Sequence, residues 1–248
     1  MLANDGALRE TLTDEVMAAG HGSVHVNAAT ISVTLSKELG ERHAKAGVAY
    51  VSAPVFGRPE VATAGLLNIV AGGAPEAIAR AQPLLDVMGG KTWPAGEDPV
   101  QANIIKIAGN FMIASALETM GEATALARSY GVDKRVFLDI LNNTIFASPV
   151  YKGYGAIIAE QKYEPAGFTL PLGLKDVGLA LSASHDKNVA MPFASVLRDN
   201  FLDALAHGNP KMDWASIAEV SHRRAKLGDW WLPTMKLSSS RRTKRAAA

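Results

Sequence analysis

Residues 100–130 carry an apolar side chain at nearly every third or fourth position (Ile104, Ile107, Phe111, Ala114, Leu117, Ala123, Leu126), and the pattern stops at Gly131. That spacing lies on one face of a helix. A helix of about thirty residues is long for a globular protein, whose helices average three to four turns. The stretch therefore predicts a spine that joins two domains.

The flanks of this spine differ. Ahead of Pro99, the runs 24–29, 48–53 and 66–71 are strand-sized and mostly bounded by Gly or Pro. Helices are expected over 32–46 and over 75–88, the second entered through Gly72-Gly73 and left through Gly89-Gly90. Strands alternating with helices predict an α/β layer over residues 1–98. Beyond Pro99 the strand signal ends. Helices are expected over 133–141, 171–185, 193–206 and 214–226, with Asp133 and Asp213 as caps, which predicts an all-α domain over 99–232. Residues 233–248 have no apolar periodicity and predict a disordered basic tail.

With 248 residues and 48% hydrophobic composition the chain can bury one large core or two smaller ones. Zero cysteines exclude disulfides, thiolate metal sites and a cysteine nucleophile. The first residues do not read as a signal peptide. The most apolar stretch, 104–117, contains Lys106 and Asn110 and is too short to span a bilayer, so no membrane segment and a cytoplasmic location are expected. Five basic residues lie from Lys236 onward; taking them from the total of 25 leaves 20 against 24 acidic ones, a net of −4. A mildly acidic body argues against a nucleic-acid partner.

Lys106 and Asn110 are four residues apart and so share one helix face. A lysine within an apolar face is costly unless it borders a cleft, where partial desolvation lowers its pKa toward the range useful for proton transfer. A snorkelling surface lysine is the competing reading. The company Lys106 keeps adds weight. Ala53-Pro54-Val55-Phe56-Gly57-Arg58 follows an expected strand, then come Ala64-Gly65 through Gly72-Gly73, Lys106 with Asn110, and Phe168 through Lys175-Asp176 to Ala180. In order and spacing these blocks resemble the β-hydroxyacid dehydrogenase family, which includes 3-hydroxyisobutyrate dehydrogenase, tartronate semialdehyde reductase and 6-phosphogluconate dehydrogenases. The resemblance covers residues 1–227.

The resemblance implies an NAD- or NADP-dependent oxidoreductase acting on a small 3-hydroxy acid or its semialdehyde. It implies the C-terminal part of a Rossmann-type sheet, a long linking helix and a helical domain through which homo-oligomers, dimers or tetramers, form. By position it makes Lys106 the general acid/base and Asn110 a substrate ligand, sets Thr30 and Lys175 beside the cofactor, and places Leu2 and Ala3 near the cofactor ribose. Two departures stand out. The substrate loop, usually Ser-Gly-Gly, is Phe56-Gly57-Arg58, so Arg58 is expected to supply an anion contact while Phe56 makes the pocket apolar. The family's Gly-x-Gly-x-x-Gly turn and first three strands precede the position matching Met1, so turnover by residues 1–248 alone is expected to be impaired. A non-catalytic oligomerising remnant and an imine reductase-like enzyme are the rival readings.

Other motifs lead nowhere. Gly20-His21-Gly22 and Gly153-Tyr154-Gly155 lack the context of a phosphate loop and are expected to be turns. His21 and His25 do not make a helical metal pair, and no metal site is expected. His43, His185, His207 and His222 are expected at the surface. No Gly-x-Ser-x-Gly elbow supports a hydrolase, and Trp214, Trp230 and Trp231 are expected to pack or to form an interface.

Overall fold

The computed structural model describes residues 2–227. The expected tail at 233–248, together with Trp230 and Trp231, lies outside the described residues. Two short helices open the chain, α1 (Asp5–Thr11), capped by Asn4 on the Ala7 amide, and α2 (Asp14–Ala19), capped by Thr13 on the Val16 amide. Strand β1 (Val24–Asn27), helix α3 (Val33–Ala46) and strand β2 (Ala49–Ser52) form a parallel βαβ unit with Val24 opposite Ala49. Ser32 starts α3 with its hydroxyl on the Leu35 amide and Gly47 ends it in the left-handed region, the chemistry on which the expected helix over 32–46 rests.

Strand β3 (Val55–Phe56), helix α4 (Pro59–Thr63), strand β4 (Leu67–Gly72), helix α5 (Pro75–Met88) and strand β5 (Gly89–Gly96) complete the first lobe. The sheet runs β1-β2-β4-β3, with β5 also on β4. It is mixed. β4 is parallel to β5 but antiparallel to β3, because the ten residues between β3 and β4 are fewer than the dozen or so that a parallel crossover takes. Neither β3 nor β5 was legible in the pattern. β3 is two residues long, and β5, GGKTWPAG, has no apolar alternation, so Gly89-Gly90 opens a strand where only a helix exit was expected.

Helix α6 (Pro99–Ser129) is the spine. Asp98 and Gln101 close a reciprocal capping box at its start, with Pro99 in the first turn. It is the one described helix long and apolar enough to cross a membrane by length and composition, yet it packs against the sheet on one flank and the helical lobe on the other. That lobe follows as α7 (Lys134–Asn142), α8 (Pro149–Glu160), α9 (Leu170–Asp186), α10 (Pro192–His207), a 3-10 turn at Trp214–Ala218 and α11 (Glu219–Arg224). Gly153 and Gly155, expected in a turn, lie inside α8, where the bare Gly155 lets the Asn142 side chain approach. The helix expected over 214–226 is split at Glu219.

Three cores result. Leu117, Ile158, Leu197, Phe201, Trp214 and Ile217 anchor the helical lobe. A second core around Val51, Ile69 and Leu85 packs the sheet on α5, and a third around Leu35, Leu39 and Tyr50 packs α1, α2 and α3. Two histidines expected at the surface are buried instead. His43 donates from Nδ1 to the Leu39 carbonyl at 2.6 Å, which leaves its Nε2 to accept from His25 Nδ1 at 2.7 Å. His222 accepts from Arg128 at 2.7 Å and meets Thr124 Oγ1 at 2.9 Å.

Candidate active site

One face of α6 presents Asn103, Lys106 and Asn110, spaced three and four residues apart. Asn103 is fully buried, and its Nδ2 donates to the Ile31 carbonyl at 2.9 Å, fastening the spine to the loop after β1. The half-buried Lys106 holds its Nζ 4.3 Å from the centre of the Phe56 ring. Asn110 donates from Nδ2 to Oδ2 of Asp176, a carboxylate only 1% exposed. Lys175 spans the lobes: its Nζ lies 2.8 Å from Asp176 Oδ1 and donates at 2.8 Å to the carbonyl of Thr30. Burial pulls the Lys106 ammonium down to about 8, opposed by the Asp176 charge and assisted by that of Lys175.

Asp176, shared by Asn110 and Lys175, thus links the Lys106 face of α6 to Lys175 and, through it, to Thr30. Leu2 reaches the same corner by packing against the cluster that holds Ala29 and Ile31, and Asp5 accepts from the Ser32 amide at 3.0 Å and from its hydroxyl at 2.5 Å. Ala3 is exposed beside that corner, just ahead of the cap Asn4.

Gly57 and Arg58 follow β3. Gly57 has φ +149°, and a Cβ there would stand 2.6 Å from Leu67 Cδ2, so both conformation and space demand glycine. Arg58 is not a free cation. Its Nη2 donates to Asp213 Oδ2 at 3.0 Å, its Cζ lies 5.0 Å from the Tyr154 ring centre, and its Nη1 is buried with no partner. Asp213 is itself pinned by the amides of Gly167, Phe168 and Ala215. Trp214 packs edge-on against Phe168 and Tyr154, as expected of a core tryptophan. Lys106, Asn110, Gly57 and Arg58 all line one cavity of 770 Å³ between β3, α6 and α8.

Residues 1–96 match the profile of the NAD binding domain of 6-phosphogluconate dehydrogenase, and residues 101–221 match that of the NAD-binding of NADP-dependent 3-hydroxyisobutyrate dehydrogenase. The uncharacterized oxidoreductase YfjR of Bacillus subtilis is 38% identical over 88% of this chain and 77% of its own length. The chain belongs to the β-hydroxyacid dehydrogenase family. Two solved structures share its fold: 3-hydroxyisobutyrate dehydrogenase of Salmonella typhimurium, with a TM-score of 0.81 at 22% identity, and that of Mycobacterium tuberculosis with L-serine, with a TM-score of 0.78 at 25% identity. Each covers 88% of this chain and is itself covered over 77%.

This β-hydroxyacid dehydrogenase is therefore an NAD(P)-dependent oxidoreductase, and its residues fit the nicotinamide half of such a cofactor. Thr30 and the Lys175 ammonium meet just past the C-terminal end of β1, where open α/β sheets bind their ligands. The turn from β1 to α3, residues 28–32, carries no glycine for the pyrophosphate half. Sequence reasoning had not singled out Asn103 or Asp176 as site residues. Their signal is a polar side chain at a core-facing helical position, three residues before Lys106 and one after Lys175. Asp213 was legible only as a cap; its hold on Arg58 crosses 155 residues of chain.

Proposed function

We propose that this β-hydroxyacid dehydrogenase interconverts a 3-hydroxy acid and its semialdehyde, with Lys106 as the group that moves the hydroxyl proton. The observation that carries the reading is an amine half-buried between two lobes, drawn down to about 8 by burial and held beside the Asn110–Asp176 pair. In the oxidation direction neutral Lys106 takes the proton from the substrate hydroxyl as the C–H bond of the same carbon breaks and a carbonyl forms. In reduction the Lys106 ammonium returns it. The nicotinamide, when bound, supplies the hydride acceptor or donor. Asp176 occupies the amide nitrogen of Asn110 and so leaves its carbonyl oxygen to accept from the substrate hydroxyl or from Lys106. Thr30 and Lys175 line the cofactor side, Gly57 and Arg58 the substrate side.

The acid named with the Mycobacterium tuberculosis structure, L-serine, is a 3-hydroxy acid and supports this substrate class. Homo-oligomer formation belongs to the same reading. Ile105, Met112 and Leu126 are exposed at multiples of seven residues along α6, and β1 has β2 as its one strand partner among the described residues. Lys106→Ala should lower hydroxy acid oxidation by about 10²–10⁴-fold while quenching of nicotinamide fluorescence on binding is retained. Full activity in that variant refutes the assignment of Lys106. No quenching at millimolar cofactor refutes dehydrogenase function for residues 1–248.

A further inference from the structure

The space in front of Lys106 is far larger than the chemistry requires. Proton and hydride removal engage one carbinol, yet the 770 Å³ cavity falls in the range of about 300–1,000 Å³ that encloses drug-sized ligands. On α6 its lining continues from Lys106 to Ala116, which at the helical rise is about 15 Å of wall. Phe56, Ile113, Val150 and Phe168 make that wall apolar. Thr30 and Lys175 do not line it.

Three charged side chains interrupt the apolar lining, Lys106, Glu60 and Arg58. Asp213 neutralises one edge of its guanidinium at 3.0 Å, and the three backbone amides on Asp213 prevent the pair from swinging out. The opposite nitrogen, Nη1, is a buried donor without a partner. Leaving such a donor unpaired is costly, and an anionic oxygen is the acceptor that satisfies it best.

Building on Lys106 as the proton carrier, we propose that the substrate is a hydroxy acid with an extended apolar or aromatic substituent, its carboxylate taken by Arg58 Nη1 and its substituent laid along α6. The Ser-Gly-Gly loop of the resembled family grips a carboxylate with hydroxyl and backbone; Phe56-Gly57-Arg58 exchanges that grip for one charge and an aromatic wall. Small acids would leave most of the channel wet, whereas each methylene added to the substituent removes apolar wall from water.

The test is calorimetric titration of the protein with straight-chain 3-hydroxy acids of increasing length, each paired with its primary amide. The dissociation constant should fall about fourfold per added methylene until the channel is full, and each acid should bind more tightly than its amide. Arg58→Met should erase the acid–amide difference and keep the gain with length. Should that variant fold poorly, Arg58→Lys retains the charge without the planar fork and should narrow the difference. Affinity independent of length, or acids and amides that bind alike to the unaltered protein, overturns the proposal. Failure of the underlying reading shows separately, as unchanged turnover in Lys106→Ala.

Discussion

Replacing Gly109 by alanine places a methyl group where the Phe56 ring stands: the new Cβ would lie 2.5 Å from Cζ and 2.7 Å from Cε1. Carbon atoms in contact sit about 3.5–4.0 Å apart, so the ring must retreat by about 1 Å. Two effects on stability compete. Alanine gains about 1 kcal/mol over glycine inside a helix, and overpacking costs about 1–3 kcal/mol. The ring yields rather than the helix, because β3 is two residues long and Phe56 is only half-buried, whereas α6 is continuous on both sides. The net loss is then about 2 kcal/mol at most, a fall in Tm of no more than roughly 4–8 °C. Activity suffers more. The Lys106 amine rests 4.3 Å from that ring, and a displacement of about 1 Å in a reacting group can cost on the order of 100-fold. Gly109→Ala should therefore reduce kcat/KM for hydroxy acid oxidation by about 10- to 100-fold with the fold intact by circular dichroism. Removing the ring removes the clash, so Phe56→Ala with Gly109→Ala should be no slower than Phe56→Ala alone. Strictly additive losses, or full activity in Gly109→Ala, would refute the coupling of Gly109 to Lys106 through Phe56.

Other expectations follow from the same geometry. With Lys106 at about 8, kcat/KM for oxidation should rise with pH and level off above about pH 8, while reduction falls over the same interval; initial rates across pH 6–10 check both limbs. Asp176→Asn keeps the shape and an acceptor for Asn110 but removes the charge that raises Lys106, so the oxidation limb should move to lower pH. An unmoved limb would deny Asp176 that influence. In mild acid two sets of buried groups oppose each other: burial depresses His25 to about 4 and also lowers His43 and His222, and it raises the Glu118 carboxyl to about 7. The histidines bind fewer protons folded than unfolded, so the stability they contribute above pH 6.5 is lost as pH falls toward 4, whereas Glu118 is protonated more readily in the folded state and offsets that loss between pH 7 and pH 5. Urea midpoints at pH 7 and pH 5 in Glu118→Gln isolate the histidines: the midpoint should be lower at pH 5, and equal midpoints in that variant would contradict neutral buried histidines.

The local chemistry of this chain was legible wherever one period or one cap settled the matter. The helically spaced run before Gly131 predicts the α6 spine, and the helix expected over 32–46 is α3, Val33–Ala46. Lys106 and Asn110 share a face because helical geometry alone decides that. Elements whose form depends on a distant partner were not legible: β5 exists because β4 offers it an edge, and α8 stays helical through two glycines because Tyr154 and Ile158 are buried in the helical core.

Periodicity is a property of neighbours in the chain, so residue order alone determined the spine, the αβ alternation and the presence of a lysine on an otherwise apolar face. Tertiary structure decided what that lysine became. Only folding could set Phe56 against Gly109, bring Asp176 to Asn110 across 66 residues and lock Arg58 to Asp213. These contacts depend on burial and on the low dielectric between two lobes, and neither exists until the lobes have closed on each other.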